Sequence, residues 1–199
     1  MHTGFPVYVP LYPHGNDALI QCRFSLRHWP RARVGMKVFG FAGWSGSGKT
    51  TLIEQLIPRF VKRGLKVSLI KHAHHSFDVD HPGRDSYRHR LAGCSEVVVV
   101  SEKRWVVVHE LRGEPEPSLE EQFGRVSPCD LLLVEGYKHY AMPKLEIWRK
   151  QNAKALLYPE DKHVVAVAAD ASLDTRLPRF DLNDYDGIGD FILSYNGFK

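Results

Sequence analysis

The stretch GWSGSGKTT, residues 43–51, matches the phosphate-loop pattern G-x-x-x-x-G-K-S/T. The apolar segment MKVFGFAG, residues 36–43, runs directly into it and predicts a strand, and the pattern that follows predicts a helix over 49–63. In this order, a strand, a glycine loop and a helix place backbone N–H groups and the positive end of a helix around a phosphate. The stretch therefore predicts a P-loop fold that binds a nucleotide.

The side chains of the loop have separate expected roles. Lys49 can bridge the β- and γ-phosphates, and the hydroxyl of Thr50 can ligate Mg²⁺. Gly46 and Gly48 permit the backbone turns that aim N–H groups at phosphate oxygens, and Thr51 is expected at the α-phosphate. The nucleotide-binding residues predicted here are Gly43, Ser45, Gly46, Ser47, Gly48, Lys49, Thr50 and Thr51.

A carboxylate that completes the metal site is expected at the end of an apolar strand beside the loop. The segment CDLLLVEG, residues 129–136, offers Asp130 at its start and Glu135 near its end. Ligands gather at the carboxyl ends of parallel strands, so Glu135 is predicted to hold Mg²⁺ through water or to polarise an attacking water. Asp130 is predicted to cap or start the strand. Lys49 and Glu135 are the predicted catalytic residues.

The tract KHAHHSFDVDHPGRDSYRHRLAG, residues 71–93, is rich in histidine, aspartate and arginine. Its histidines match no standard zinc spacing and no cysteine accompanies them, so a zinc site is disfavoured. A loop after the second strand is a place for a phosphate-sensing segment, and Asp80 or Asp78 is predicted to reach the Mg²⁺ shell. The predicted metal ligands are thus Thr50, Glu135 and Asp80. Planar guanidinium groups suited to phosphate, or else a solvated basic face, are provided by Arg84, Arg88 and Arg90.

Asp170 follows the apolar segment HVVAVAA, residues 163–169. A carboxylate at this point can accept the N1–H and N2–H groups of guanine, so Asp170 is included among the nucleotide-binding residues. A helix cap or turn is the alternative, because the sequence DAS also suits that role. The N-K-x-D signature of guanine recognition is absent, and these residues alone leave the choice of base open.

Alternating apolar strands and helices predict the fold class. Strands are predicted at 37–42, 66–71, 95–101, 104–111, 130–136, 144–150 and 163–170, and helices at 49–63, 84–92, 118–124 and 183–195. Gly64 is expected just beyond the first helix, and Pro58 is expected to kink that helix or replace its middle turn. Continuous apolar strands separated by helices favour an α/β three-layer P-loop NTPase fold, with a mainly parallel sheet covered by helices on both faces.

Composition limits the remaining classes of protein to which the chain could belong. The chain of 199 residues has a net charge of +4 and is 43% hydrophobic and 25% charged, as expected of one globular domain. A nucleic-acid-dependent NTPase would need a stronger basic stripe, and no apolar run approaches the roughly 20 residues that span a bilayer. Cys22, Cys94 and Cys129 are far apart, which favours free thiols in the cytoplasm. Neither a nucleic acid nor a membrane is therefore expected as a partner.

Residues 1–35 are predicted to form an irregular N-terminal arm, and residues 36–199 the P-loop domain. The arm contains several prolines and has no sustained period of 2 or 3.6. One hypothesis is that Met36 is the natural start; the alternative is a genuine arm. The intact mass of the native protein distinguishes them, since a species that begins at Met1 excludes a start at Met36.

These stretches together resemble the MobB family of molybdopterin-guanine dinucleotide biosynthesis adaptor proteins. The resemblance covers about residues 36–171 and rests on the phosphate loop, on IKHAHHSFDVDHPGRDSYRHRLAG, on DLLLVEGYKH and on VAVAAD. The second and third stretches are the most specific. Two departures are Arg84, where the family pattern suggests lysine, and the N-terminal arm.

The resemblance implies a homodimeric GTP-binding protein that uses Mg²⁺ and is at most a weak GTPase. It implies an accessory role to the guanylyltransferase that joins GMP to molybdopterin, with molybdopterin itself as a further candidate ligand. By analogy, the loop holds the phosphates, Thr50 and Glu135 serve the metal, and the tract from Asp78 to Arg90 lies near the nucleotide or the partner. The alternative is a P-loop small-molecule kinase, for which Lys138 and His139 are the only candidate bases and neither is convincing.

Overall fold

The computed structural model describes residues 35–73 and 77–198. Cys22 and all but the last residue of the predicted arm lie outside these residues, as do His74 and His75 of the histidine tract. The expectations for them stay predictions.

Strands and helices alternate along the described part of the chain. The strands are β1 (Lys37–Ala42), β2 (Val67–Lys71), β3 (Glu96–Val100), β4 (Trp105–His109), β5 (Leu131–Glu135), β6 (Lys144–Trp148), β7 (Val164–Ala169) and β8 (Arg179–Asp181). The helices are α1 (Lys49–Lys62), α2 (Asp85–Leu91), α3 (Leu119–Arg125) and α4 (Tyr185–Tyr195). Each predicted element is present to within two residues at either end.

Six of these strands form the central sheet, in the order β2-β5-β1-β6-β7-β8. All neighbouring pairs in it are parallel. The carboxyl ends of β1, β2 and β5 therefore meet at one edge, where Phe41 and Lys71 lie in register on either side of Glu135. This edge is the one from which the phosphate loop departs.

Helices cover the sheet on both faces, which confirms the predicted fold class. Side chains of α1 and α4, such as Leu56 and Ile192, pack with Phe39 and Leu133 on one face. On the other face, Leu119 of α3 packs with side chains of β5. Hydrophobic burial on both faces explains why β5 is apolar at every position before its terminal carboxylate.

The first helix ends as its sequence predicts. Arg63 is its C-cap, and Gly64 follows with a φ of +83°, a conformation that favours glycine. The helix is continuous through Pro58, which excludes the alternative in which that proline replaces a helical turn.

Strands β3 and β4 do not join the central sheet, contrary to the expectation of a single sheet. They pair with each other in antiparallel register, from Glu96 opposite His109 to Val100 opposite Trp105. The short connection between β3 and β4 explains why they pair with each other in antiparallel register, because parallel pairing requires a crossover of about a dozen residues or more. β8 was missed because its three residues, RFD, carry no usable hydrophobic period.

Two buried charged side chains on β6 hold two neighbouring loops in place. The ammonium of Lys144 is 2.8 Å from Oδ2 of Asp161 and donates to the carbonyl oxygens of Lys138 and Tyr140 at 2.8 and 2.6 Å. Glu146 accepts the N–H groups of residues 157 and 158 at 2.7 and 2.9 Å. Burial raises the pKa of Glu146, and these two hydrogen bonds oppose the shift. Segments 138–140 and 157–161 are thereby tied to the strand.

Candidate functional site

The phosphate loop turns sharply out of β1 and into α1. Gly43, Gly46 and Gly48 all have positive φ angles, of 150°, 76° and 97°. A Cβ at Gly43 would lie 2.4 Å from the carbonyl oxygen of Ile147, so the loop backbone passes directly over β6. Only glycine fits this first position, for steric as well as conformational reasons.

Lys49 folds back over the loop from the first turn of α1. Its Nζ donates to the carbonyl oxygens of Gly43 and Trp44 at 2.9 and 3.0 Å. Burial lowers the pKa of Lys49; Glu135 opposes this shift, and Lys138 and Lys71 add to it. A positive group that is partly stripped of water at the mouth of the loop is suited to bind an anion.

Glu135 and Thr50 lie together, as the sequence predicts for a metal pair. The Thr50 hydroxyl donates to Oε1 of Glu135 at 2.9 Å, and Glu135 is only 6% exposed. Oε2 of the same carboxylate is 3.4 Å from Nζ of Lys71. Sequence reasoning missed Lys71, although a charged residue at the end of the apolar strand VSLIK was the available signal. Asp130 immediately precedes β5, which begins one residue later than predicted, and accepts the N–H of Lys66 at 2.7 Å.

A segment after β6, residues 149–155, covers the other side of the phosphate loop, and we call it the covering segment. Arg149 Nε donates to the carbonyl oxygen of Ser47 at 3.1 Å, and the amide of Asn152 donates to that of Ser45 at 3.4 Å. The indole N–H of Trp44 donates to the carbonyl oxygen of Ala155 at 2.8 Å. Arg149 and Asn152 were not predicted, because no local motif connects residues about one hundred positions apart.

Lys138 lies against the indole of Trp44. Its Nζ is 4.0 Å from the centroid of the ring, a cation–π contact on a residue of the phosphate loop. The backbone approaches this point through Tyr137, whose φ of 47° is unusual for a bulky side chain. Lys138, which the sequence suggested only as a weak candidate base, is therefore placed beside the loop as a cation.

Asp170 holds the covering segment. Its Oδ1 accepts the N–H of Lys150 at 2.8 Å and so caps a short 3-10 turn, Lys150–Asn152. The turn that Asp170 caps lies twenty residues earlier in the chain, whereas the alternative from the sequence DAS placed the cap at the start of the segment that follows Asp170. Asp170 is nevertheless exposed, and with Ser172 and Arg179 it lines an open cavity at the ends of β7 and β8.

Asp78 and Asp80 of the histidine tract are engaged with Arg90, which is 8% exposed. Two Arg90 hydrogen bonds, at 2.9 and 2.7 Å, hold the pKa of Asp78 below its usual range. Asp80 lies 3.4 Å from Arg90 Nε and accepts hydrogen bonds from Ser86 and His81. A metal role for Asp80 stays a prediction, and its contacts favour a structural role. The phosphate role proposed for Arg90 is not supported, whereas Arg84 and Arg88 are exposed.

The chain is similar to proteins of one family. Residues 38–170 match the family model described as "Molybdopterin guanine dinucleotide synthesis protein B". The chain is 42% identical to the molybdopterin-guanine dinucleotide biosynthesis adapter protein of Escherichia coli over 164 residues, which cover 79% of this chain and 92% of the relative. The protein of the same name from Haemophilus influenzae is 42% identical over 160 residues, or 78% and 86% of the two chains.

Solved structures of similar fold carry the same family name as these relatives. A crystal structure of molybdopterin-guanine biosynthesis protein B superposes with a TM-score of 0.64 at 25% identity, covering 80% of this chain and 99% of that one. MobB of Bacillus subtilis gives a TM-score of 0.65 at 24% identity, with 81% and 99% coverage, and supports the fold alone.

The geometry of the phosphate loop predicts that substitution by alanine lowers the free energy of unfolding by different amounts at two of its glycines. Gly43→Ala should lower the free energy of unfolding by at least about 2 kcal/mol, because its Cβ meets a backbone carbonyl of β6. Gly46→Ala should cost only about 1 kcal/mol, since strain from φ is its main penalty and the nearest atoms are 3.9 Å away. Urea denaturation measures both variants, and equal losses would contradict the close approach at Gly43.

Proposed function

Because the chain belongs to the MobB family, we propose that it is a GTP-binding adaptor in molybdenum cofactor biosynthesis. In this role it assists the guanylyltransferase that attaches GMP to molybdopterin to form the guanine dinucleotide cofactor. The observation that carries the nucleotide part is the phosphate loop, with Lys49 folded over it and Thr50 hydrogen-bonded to Glu135 at 2.9 Å. Membership of this family favours an adaptor over the small-molecule kinase.

The residues present fit a Mg²⁺ ion bound together with phosphates. The hydroxyl of Thr50 and the carboxylate of Glu135 are hard oxygen donors in contact, and Mg²⁺ commonly uses one or two such groups plus phosphate oxygens and water. Within residues 35–73 and 77–198, no group of three or more His, Cys, Asp or Glu side chains forms a metal cage. When bound, the ion would supply neutralisation of phosphate charge.

The base would lie toward Asp170, across the covering segment from the phosphate loop. This exposed carboxylate caps the turn at Lys150 through Oδ1, and because each carboxylate oxygen accepts more than one hydrogen bond, the pair of oxygens can also receive the N1–H and N2–H groups of guanine. The adjacent cavity has polar groups from Ser172 and Arg179. These features support GTP over ATP, since adenine has no such paired donors on that edge.

The arrangement is better suited to holding a nucleotide than to transferring its phosphate. Both oxygens of Glu135 have partners, in Thr50 and Lys71, so this carboxylate is poorly placed to activate a water molecule. Lys138 is a cation beside Trp44 rather than a free base. Lys49 and Glu135 would therefore support slow GTP hydrolysis at most, and GTP occupancy would prepare the partner complex.

The hairpin of β3 and β4 supports a homodimer. One of its faces is apolar and exposed: Val100 is 71% exposed and Trp105 65%, and Val98 and Val107 lie beside them on the same face. A contiguous apolar surface of this kind is typical of an interface. A second copy of the chain is the occupant that we propose.

Among the described residues, no helix is long and apolar enough to cross a membrane.

We expect Lys49→Ala to lose nucleotide affinity by at least about a hundredfold with an unchanged melting temperature, because it removes a phosphate-facing charge and no core packing. Lys62→Ala, at the other end of α1, is the matched control and should bind normally. Calorimetric titration with GTP and ATP measures the effect and should show tighter binding of GTP. Equal GTP affinity in Lys49→Ala would refute the site.

The same two variants test the adaptor role. The purified molybdopterin guanylyltransferase should be retained by immobilised wild-type protein and by Lys62→Ala in the presence of GTP, and much less by Lys49→Ala. Retention that is absent in all three, or indifferent to GTP, would argue against an adaptor prepared by nucleotide.

The dimer is tested by charging the exposed face of the hairpin. Val100→Glu combined with Trp105→Glu should convert a dimer of the 22.7 kDa chain into a monomer, because four carboxylates would then oppose one another in the apolar contact. Val61→Glu, at a position on α1 that is 54% exposed, is the control and should remain dimeric. Light scattering after size exclusion measures the mass. A monomeric wild type, or a dimeric double variant, would exclude this interface.

A further inference from the structure

The ammonium group of Lys71 contacts both residues that we propose for Mg²⁺. Its Nζ lies 3.4 Å from Oε2 of Glu135 and 3.5 Å from Oγ1 of Thr50. The hydroxyl of Thr50 donates at the same time to Oε1 of Glu135 at 2.9 Å. Each of the three side chains thus contacts the other two, and we call this arrangement the Lys71 triangle.

The sheet brings Lys71 to this position. It is the last residue of β2 and pairs in register with Glu135, the last residue of β5. Side chains at paired positions of neighbouring strands lie on the same face of the sheet. Lys71 therefore reaches the edge of the phosphate loop from the side opposite to β1.

The two members of the ion pair differ in their freedom to move. The side chain of Glu135 is 8% exposed, whereas that of Lys71 is 54% exposed. A buried carboxylate without a cation is unfavourable, so Glu135 requires a positive partner at this position. Lys71 has four methylene groups and access to solvent, and can leave without exposing the core.

We propose that Lys71 is an internal counter-ion that holds Thr50 and Glu135 in place and is displaced when Mg²⁺ arrives with the nucleotide. The inference rests on the proposed function, because it assumes that these two residues serve the metal. Two cations that require the same carboxylate oppose each other, so Lys71 weakens the binding of the metal alone. Bound phosphates add negative charge and further oxygen ligands, and they tip the competition toward the ion.

Lys71 would thereby couple the metal to the nucleotide. Without nucleotide, the lysine satisfies the buried carboxylate and keeps the site closed to free Mg²⁺. With nucleotide, Mg²⁺ takes the carboxylate and the lysine is released toward solvent. This is a linkage between two ligands, set by one side chain that competes with the first of them.

Metal binding without nucleotide tests the proposal. Mn²⁺, which has similar ligand preferences and whose free ion is measured by electron paramagnetic resonance, serves as the probe. Lys71→Met should bind Mn²⁺ about tenfold more tightly than the wild type, because the metal no longer competes with the lysine for the carboxylate of Glu135. Lys71→Arg, which keeps the charge, should bind Mn²⁺ as weakly as the wild type.

Two controls identify the site. Lys66→Met removes an exposed lysine just before the same strand and should leave Mn²⁺ affinity unchanged. Adding Glu135→Gln to Lys71→Met should abolish the gained affinity. Melting curves verify that each variant is folded, and Lys71→Gln replaces the methionine variant if that one is not.

Unchanged or weaker Mn²⁺ binding in the folded neutral variant, Lys71→Met or Lys71→Gln, would overturn the proposal, and would instead fit a lysine that only contacts phosphate. The GTP titration of the wild type separates this failure from failure of the proposed function. GTP binding that depends on Mg²⁺, without a gain of Mn²⁺ affinity in Lys71→Met, rejects the counter-ion alone. Absence of GTP binding rejects the nucleotide site itself.

Discussion

The buried carboxylate of Glu135 is the constraint on which the nucleotide end of the molecule depends. It ends a strand whose residues are all buried, so its charge must be satisfied by protein groups. Thr50 supplies a hydrogen bond from the first turn of α1, and Lys71 supplies a cation from the end of β2. One carboxylate thus fixes the start of a helix and the ends of two strands relative to one another, and the phosphate loop lies within that frame.

Buried charges also fix the parts of the chain that surround the loop. Lys144 binds the backbone of residues 138 and 140, and Glu146 binds that of residues 157 and 158. Arg90 gathers three carboxylates around α2 and the hairpin in the same way. In each case a costly buried charge is stabilised by contacts that order a loop, and one of these loops carries Lys138, which lies against Trp44 of the phosphate loop. The pattern explains why polar residues interrupt otherwise apolar segments.

The proposed nucleotide site and the proposed dimer surface lie on different sheets. The phosphate loop, its covering segment and the metal pair share the carboxyl edge of the central sheet. The apolar hairpin face belongs to a second sheet, connected through α2 and the Arg90 cluster.

The sequence by itself determined five of the six strands of the central sheet, its helices and the phosphate loop. Short-range patterns carry that information: apolar runs predict strands, glycine spacing predicts the loop, and Glu135 at the end of an apolar strand predicts the metal pair. Guanine recognition by Asp170 and metal binding by Asp80 stay predictions. Only the tertiary structure placed β3 and β4 in a separate hairpin, seated Arg149 on the loop, buried Arg90 and brought Lys71 to Glu135. Those contacts join residues far apart in the chain, and they follow from strand order and from the need of buried charges for partners, which no local pattern records.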